Sequence, residues 1–267
     1  ASTLDWSPDG AKLLFSRIDR ADKYGSRQAD IYEYDFEVDE PGWLRDALWI
    51  VPALIGVETP ESPRIKQLTH GLRVLYPTFS PDAEWIALVR NEGTNNNLGV
   101  VRTDGTALTY LTDFRDGTQI YTPRWSPDGR SIAFSFSREG QRDIVTMRFS
   151  PELMARESGG EGEVRIVGTD SLQVLIATPG TDRDPVWSAD GKEVIFSSDF
   201  SGIFNIYALN LETRRLRQLT NTLGGAFNPS LGPNGEIFFA AYTASGFEIR
   251  KVESGDPPVA IWEEWLA

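Results

Sequence analysis

The stretch PRWSPDGRSIAFS, residues 123–135, decides the fold because the chain repeats it. Related stretches are LDWSPDGAKLLFS from residue 4, PTFSPDAEWIALV from residue 77, PVWSADGKEVIFS from residue 185 and PSLGPNGEIFFAA from residue 229. The residue that opens each turn stands at position 7, 80, 126, 188 or 232, so the spacings are 73, 46, 62 and 44 residues. Two spacings lie near 45 residues, and the two longer ones indicate insertions.

Repeats of about 40–50 residues with short strand-like patterns predict a β-propeller in which each repeat is a four-stranded blade. Third strands are predicted in ADIYEYD, RDIVTM, FNIYALN and FEIRKV, and fourth strands in RIKQLT, ALTYLT, RLRQLT and LQVLIAT. We therefore predict one all-β propeller domain over residues 1–267 with five recognisable blades, and the pattern leaves a sixth blade open. The blade anchors are 4–16, 77–89, 123–135, 185–197 and 229–241, and the insertions cover about 36–62 and 150–170.

The acidic residue of each turn has an architectural explanation. Ser-Pro-Asp-Gly places Ser at the first position, Pro at the second and Gly at the fourth, as type I turns prefer. Equivalent positions of successive blades are spread around a ring, so Asp9, Asp82, Asp128 and Asp190 should not meet at one metal or substrate. We predict that they stabilise the turns.

The composition of the chain argues against some classes of partner and chemistry. The chain has 267 residues with 40% hydrophobic content, enough for one large all-β domain. Its net charge of −13, from 39 acidic and 26 basic residues, argues against a nucleic-acid partner. Cysteine is absent, which excludes disulfides and thiolate chemistry. The start at Ala1, without Met, suits a processed secreted chain or a piece of something longer.

Catalytic patterns are missing from the sequence. There is no G-x-S-x-G motif, and His70 is the only histidine, in a QLTHG stretch that favours a loop. One histidine cannot build the multi-histidine metal sites of metal-dependent lyases that share a propeller shape. We expect no enzyme activity, no cofactor and no metal.

The P-x-W-S-P-D-G turn, the D-I-Y strand and the Q-L-T strand resemble the TolB-type, WD-like β-propeller repeats of bacteria. The resemblance covers nearly the whole chain apart from the insertions and the tail. Three departures are Ala83 at the turn glycine, Ala189 at the proline and the Gly-Pro-Asn-Gly of the fifth copy. The resemblance implies either a periplasmic scaffold protein or the propeller domain of a larger peptidase, and such repeats by themselves do not fix an activity.

A ligand site is expected where the loops between one blade's last strand and the next blade's first strand gather at the channel mouth. These loops mix charged and aromatic residues, which can also pair with one another and with water. The channel-mouth candidates are Arg73, Tyr76, Asp116, Tyr121, Asp182 and Asp184, and the same loops also carry Asp113, Arg115 and Arg183.

The first insertion, DEPGWLRDALWIVPALIGVETPESP, predicts a short amphipathic helix. Its apolar run of 11 residues, 47–57, contains Pro52 and is too short to span a bilayer, so peripheral contact with a membrane or membrane protein and packing on the propeller's flank both stay open. Aromatic side chains are common interface anchors. The partner-contact candidates are Trp43, Leu44, Leu48, Trp49, Val51, Leu54, Trp262 and Trp265.

Taken together, these features predict a non-catalytic scaffold for protein–protein interaction in the periplasm or another extracytoplasmic space. One alternative is a propeller that gates substrate access in a larger peptidase. Another is an accessory subunit docked on a membrane protein complex through the first insertion.

Overall fold

The structure, a computed structural model, describes residues 4–18, 28–38, 64–150, 172–253 and 255–263. These ranges contain twenty β-strands and no helix. The helix predicted in the first insertion lies outside the described residues, as does nearly all of the second insertion.

Blades one and two are four-stranded antiparallel sheets in chain order. Blade one consists of β1 (Leu4–Trp6), β2 (Lys12–Ile18), β3 (Ala29–Asp35) and β4 (Ile65–Gln67). Blade two consists of β5 (Val74–Phe79), β6 (Trp85–Glu92), β7 (Asn95–Arg102) and β8 (Thr109–Tyr110).

Blade three confirms the predicted fourth strand on the far side of the second insertion. It consists of β9 (Gln119–Trp125), β10 (Ser131–Arg138), β11 (Gln141–Arg148) and β12 (Leu172–Ile176). Blade four consists of β13 (Asp182–Trp187), β14 (Glu193–Ser198), β15 (Asn205–Asn210) and β16 (Leu216–Gln218). Blade five consists of β17 (Ala226–Leu231), β18 (Ile237–Thr243) and β19 (Gly246–Val252).

The last strand, β20 (Ala260–Trp262), departs from the predicted four strands per blade. It pairs with β16, so blade four has five strands and blade five has three. Pro257 and Pro258 precede β20, and because proline has no N–H to donate, they interrupt any pairing beside β19. The N–H of Val259 then donates to the carbonyl of Gln218, 2.8 Å away, which starts the pairing with blade four.

The blades stack in chain order, and each blade's first strand lies innermost, since the first strands of successive blades contact one another. Four apolar clusters fill the spaces between blades one and two, two and three, three and four, and four and five. Because both faces of a middle strand meet a neighbouring blade, strands such as β6 and β14 are buried along most of their length. This explains why their sequences are apolar runs rather than strict alternations.

Candidate functional site

The repeated turns are held by their acidic residues, as predicted. The Ser126 hydroxyl donates to Asp128 Oδ1 at 2.6 Å, and the backbone N–H of Arg130 donates to the same oxygen at 3.0 Å. The Gly129 N–H closes the turn on the carbonyl of Ser126 at 2.9 Å. The hydrogen bond from Ser126 holds the pKa of Asp128 below its usual value. Asp9, Asp82 and Asp190 accept from Ser7, Ser80 and Ser188 in the same way.

A second hydrogen-bond pattern, which we call the lock, recurs in several blades. It joins the threonine that ends Q-L-T to the start of the third strand, such as D-I-Y, and so explains why both sequences recur. In blade four the Thr220 hydroxyl donates to Asn205 Oδ1 at 3.0 Å and accepts the N–H of Ile206 at 2.9 Å. Blades one and two repeat both bonds with other residues: Thr69 with Asp30 and Ile31, and Thr112 with Asn97 and Leu98. These buried polar groups have their hydrogen-bond partners within the fold, so their role is structural. The residues nearer the surface are the candidates for function.

The first strands have a bulge at one position in each of blades two to five. The residue before the strand's proline has a positive φ of 55° at Tyr76, 48° at Thr122, 57° at Asp184 and 50° at Asn228. The pairing register with the second strand shifts at each of these points. Left-handed backbone costs about 1–2 kcal/mol for a non-glycine residue. The same bulge therefore recurs in four blades, where it bends the innermost strand.

Beside the bulge of blade two, two tyrosines and an arginine from blades two and three contact one another. The rings of Tyr76 and Tyr121 lie 6.2 Å apart, edge to face, and the guanidinium carbon of Arg142 lies 4.1 Å from the centre of the Tyr121 ring. Burial raises the pKa of Tyr76, and the neighbouring Tyr121 raises it further. Arg142, at the start of β11, reaches this place because the turn before a third strand lies at the same end as the loop before a first strand.

Blades four and five continue the same surface. Arg183 Nε donates to Asp184 Oδ2 at 2.8 Å, and its guanidinium carbon lies 5.9 Å from the ring centres of both Phe204 and Phe227. Those two rings are 5.0 Å apart. Asp184 and Arg183 also lie close enough to Tyr76 to influence its pKa, which joins the two halves. We define the channel-mouth cluster as the residues Tyr76, Tyr121, Arg142, Arg183, Asp184, Phe204 and Phe227.

The channel-mouth cluster offers aromatic faces and guanidinium donors in one surface. Arginine beside aromatic rings can bind carboxylates and carbonyls while the rings cover apolar groups. Within the described ranges, no group of three or more His, Cys, Asp or Glu residues could hold a metal ion. His70 is exposed on its loop. The arrangement is suited to binding.

The structure brings together three of the six predicted channel-mouth residues: Tyr76, Tyr121 and Asp184. Arg73 is exposed on the loop before β5. Asp116 pairs with Arg138 at 2.7 Å and accepts from the Thr118 hydroxyl, so it belongs to the rim between blades two and three.

Asp182 is an interior residue. It is fully buried and accepts from the N–H of Thr178 at 2.7 Å and from the Thr178 hydroxyl at 2.8 Å. Burial raises its pKa to about 6, and the hydrogen bonds from Ser198 and Thr178 oppose that rise. Its contacts fasten the loop between β12 and β13.

Most of the predicted partner-contact residues lie outside the described residues, namely Trp43, Leu44, Leu48, Trp49, Val51, Leu54 and Trp265. Trp262 is described and half-buried in β20. Its ring lies 5.5 Å from that of Phe200 and 6.4 Å from that of Tyr207, within the apolar cluster of blade four.

Two residues of the channel-mouth cluster, Arg142 and Phe204, do not lie in the loops that supplied the sequence candidates. Phe227 lies in the last of those loops, residues 221–229, but was not among the candidates. Phe227 stands directly before the N-P of the fifth repeat, the position that Tyr121 holds before T-P. An alignment of the repeats on their prolines identifies this position. Arg142 and Phe204 lie just before or at the start of third strands, and no pattern in the first-strand loops points to them.

The fold is that of a five-bladed β-propeller, and the chain resembles TolB. No family model matches it. It is 30% identical over 103 residues to the Tol-Pal system protein TolB of Francisella tularensis subsp. mediasiatica, covering 38% of this chain and 20% of that protein. It is 27% identical over 175 residues to the uncharacterized peptidase YuxL of Bacillus subtilis, covering 58% of this chain and 25% of that protein.

A solved structure gives the same fold. TolB from Acinetobacter baumannii superposes with a TM-score of 0.62 at 19% sequence identity, over 93% of this chain and 50% of that one. The predicted resemblance to TolB-type propellers is thus confirmed. The matched part is at most a quarter of the two curated relatives' length.

Proposed function

We propose that this protein is a non-catalytic scaffold that binds another protein in an extracytoplasmic space such as the periplasm. The observation that carries the proposal is the channel-mouth cluster, in which four blades contribute aromatic and arginine side chains to one surface. Tyrosine and arginine are among the residues that dominate binding energy at protein interfaces.

The chemistry of the cluster suggests what the partner presents. Arg142 stacks on Tyr121, and Arg183 stands near Phe204 and Phe227, so each guanidinium has a ring beside it. A partner segment with carboxylates next to apolar side chains would satisfy both groups at once. Most of the surface is built on innermost strands that pack against neighbouring blades, which keeps it rigid and lowers the entropy lost on binding.

The location rests on the resemblance to TolB-type proteins. In the described part of the chain, nothing helical has the length and hydrophobicity of a membrane span. The absence of cysteine fits any redox compartment and does not decide the question.

The first insertion provides a second candidate contact surface. Its residues, from Trp43 to Val57, are apolar enough to predict contact with a partner or membrane protein. If that prediction holds, changing Leu48 and Trp49 to Ser releases the partner without altering the melting temperature.

Site-specific photocrosslinking in cells that naturally express the protein tests the proposal. A benzophenone amino acid is placed at Tyr121, at Phe227, at Trp49, or at Thr106, which lies between β7 and β8 at the opposite end of blade two. We expect a discrete protein adduct at Tyr121 and Phe227 and none at Thr106. An adduct only at Trp49 would move the contact to the insertion, and adducts at none of the sites would contradict the scaffold function.

The likeness to YuxL favours a second candidate, the propeller domain of a larger peptidase. In that case the channel mouth would face a catalytic domain and control substrate access. A fluorophosphonate probe distinguishes the two in the native protein purified from its source. Labelling of a serine in the same polypeptide supports the peptidase, and no labelling supports the scaffold.

A further inference from the structure

Two of the four interfaces between consecutive blades contain the same hydrogen bond. Trp125 Nε1 on β9 donates to the carbonyl of Thr78 on β5, and Trp187 Nε1 on β13 donates to the carbonyl of Arg124 on β9, both at 3.2 Å. In each pair the tryptophan precedes the turn serine, and the acceptor occupies the position before the corresponding residue one blade earlier. The bond ties a first strand to the preceding first strand.

Trp6 holds this tryptophan position in blade one, and no described strand of another blade packs against it on that side. Its ring stacks on Phe36 of its own blade, with ring centres 5.1 Å apart, yet it is 55% exposed, whereas Trp125 is 7% exposed. No described residue accepts a hydrogen bond from its indole nitrogen. Leu4, two residues earlier, stands where blades two to five have a buried proline, and it is 57% exposed. We call this surface the blade-one face, with Leu4 and Trp6 as its defining residues.

Blade five carries the opposite half of the same interface. In blade four, Ile195 and Ile206 pack against blade five and are buried. The strand registers place Phe238 and Ile249 at the corresponding positions of blade five, where they are 36% and 83% exposed. Ser230 stands at the position of the acceptor residues in blades two and three. Phe238, Ile249 and Ser230 define the blade-five face.

The two faces do not meet within the chain as described. Strand packing joins blade one to two, two to three, three to four and four to five, while the described strands of blades five and one share no comparable packing. Both end faces therefore expose apolar side chains at positions that are buried or partly buried in the inner blades. Exposed apolar surface of this kind marks an interaction site on a soluble protein.

We propose that the blade-one face of one copy of this protein binds the blade-five face of a second copy. The chain packs blade against blade four times within itself, twice with the tryptophan hydrogen bond, and the two end faces carry the corresponding positions of that interface. Trp6 of one copy donates to the carbonyl of Ser230 of the other, as Trp125 does to Thr78. Because the two faces are different surfaces, the contact is heterologous, and two copies can close on each other or add further copies.

Charge sets one expected property of this association. Each copy carries a net charge of −13, so two copies repel each other at long range. Salt screens such repulsion, whereas the contact itself is mainly apolar. Association should therefore strengthen as the salt concentration rises.

Sedimentation velocity over a range of protein concentrations tests the proposal with the full chain. The wild type should shift from monomer to larger species as concentration rises. Trp6→Ser and Ile249→Lys should each weaken association by roughly tenfold or more. Leu223→Lys, at a loop residue that is 96% exposed, is the control and should sediment as the wild type does.

Mixing the two variants gives the most specific readout. Trp6→Ser keeps an intact blade-five face and Ile249→Lys keeps an intact blade-one face, so an equimolar mixture should form a one-to-one heterodimer although each variant alone is monomeric. Circular dichroism checks that both fold, and Leu4→Lys and Phe238→Lys replace them if either does not.

Three results would overturn the proposal: a wild type that is monomeric at every concentration, variants that associate as the wild type does, or a mixture that stays monomeric. Closure of the ring within one chain, or by a blade of another protein, gives the first result. The end faces and the channel-mouth cluster use different residues, so failure here leaves the proposed function untouched.

Discussion

The indole nitrogen of Trp125 donates to the backbone carbonyl of Thr78, 3.2 Å away, and so links blade three to blade two. The tryptophan ring also packs edge to face on Phe149, with ring centres 4.8 Å apart. One side chain thus supplies both an apolar contact and a polar tie between blades. Trp125 stands directly before the Ser-Pro-Asp-Gly turn, so its contacts also fix the position of that turn relative to the neighbouring blade.

The bond between Trp125 and Thr78 should be measurable by itself. Trp125→Phe keeps an aromatic ring but removes the indole N–H, and we expect the free energy of unfolding to fall by about 1–3 kcal/mol in urea denaturation. Trp85→Phe is the matched control, because Trp85 is also buried and packs on Phe149, and no described residue accepts a hydrogen bond from its indole nitrogen. Equal losses in the two variants would show that the inter-blade bond contributes nothing specific.

The lock between third and fourth strands should contribute at least as much to the free energy of unfolding as the bond between Trp125 and Thr78. Thr220→Val keeps the shape of the side chain but leaves the N–H of Ile206 without its acceptor, which should cost about 1–3 kcal/mol. Thr106→Val is the control, because the Thr106 hydroxyl bonds Asp104 at an exposed turn. Thermal unfolding followed by circular dichroism compares them, and a Thr220 variant as stable as the control would contradict the lock.

Asp182 should make the free energy of unfolding depend on pH. The dependence should be opposite to that of a carboxylate in a salt bridge, because the pKa of Asp182 is raised and not lowered. Burial raises its pKa to about 6 in the folded state, above the ordinary value of 3.8, so the folded protein holds this proton more tightly than the unfolded chain. Its contribution to stability is therefore full below about pH 4 and is lost as the pH rises through 6.

Asp182→Asn removes this titration. The unfolding free energy of the variant relative to the wild type should rise between pH 4 and pH 7 by up to about 3 kcal/mol, since a shift of about two pKa units corresponds to that energy. Urea denaturation at several pH values measures the difference. A difference that does not change with pH would show that Asp182 titrates normally.

The turns should remain stable when their aspartates lose the negative charge, but not when they lose the oxygen that accepts hydrogen bonds. Asp128→Asn retains an oxygen for Ser126 and Arg130 and should cost at most about 1 kcal/mol, with no effect on partner binding. Asp128→Ala removes the acceptor and should cost more. If Asp128→Asn abolishes binding while stability is unchanged, the residue has a functional role that the turn geometry does not explain.

Sequence patterns predicted the parts of this fold that depend on local chemistry. The turn pattern and the apolar runs recur in all five blades with few substitutions, so the first and second strands could be placed from Ser126, Gly129 and their equivalents. The pairing of β20 with β16 could not be predicted, because it depends on which exposed edge is within reach after Pro257 and Pro258.

The site was predicted only in part for a related reason. Repeat alignment places Tyr76 and Asp184 near the channel, but it does not show whether a loop acid turns outward or inward. Asp182 turns inward to bind Thr178. Arg142 joins the cluster from a turn distant in sequence from Tyr76, and only the stacking of blades brings the two together.

Binding of a protein partner by the channel-mouth cluster is tested most directly by copurification of the crosslinked partner with Arg142→Ala. Arg102→Ala is the matched control, since Arg102 also stacks on a ring, that of Trp85 at 4.7 Å, but at the other end of its blade. We predict that Arg142→Ala lowers partner recovery roughly tenfold or more while its melting temperature and the recovery with Arg102→Ala stay near wild type. Undiminished recovery with Arg142→Ala, or equal losses with both variants, would contradict a binding role for the cluster.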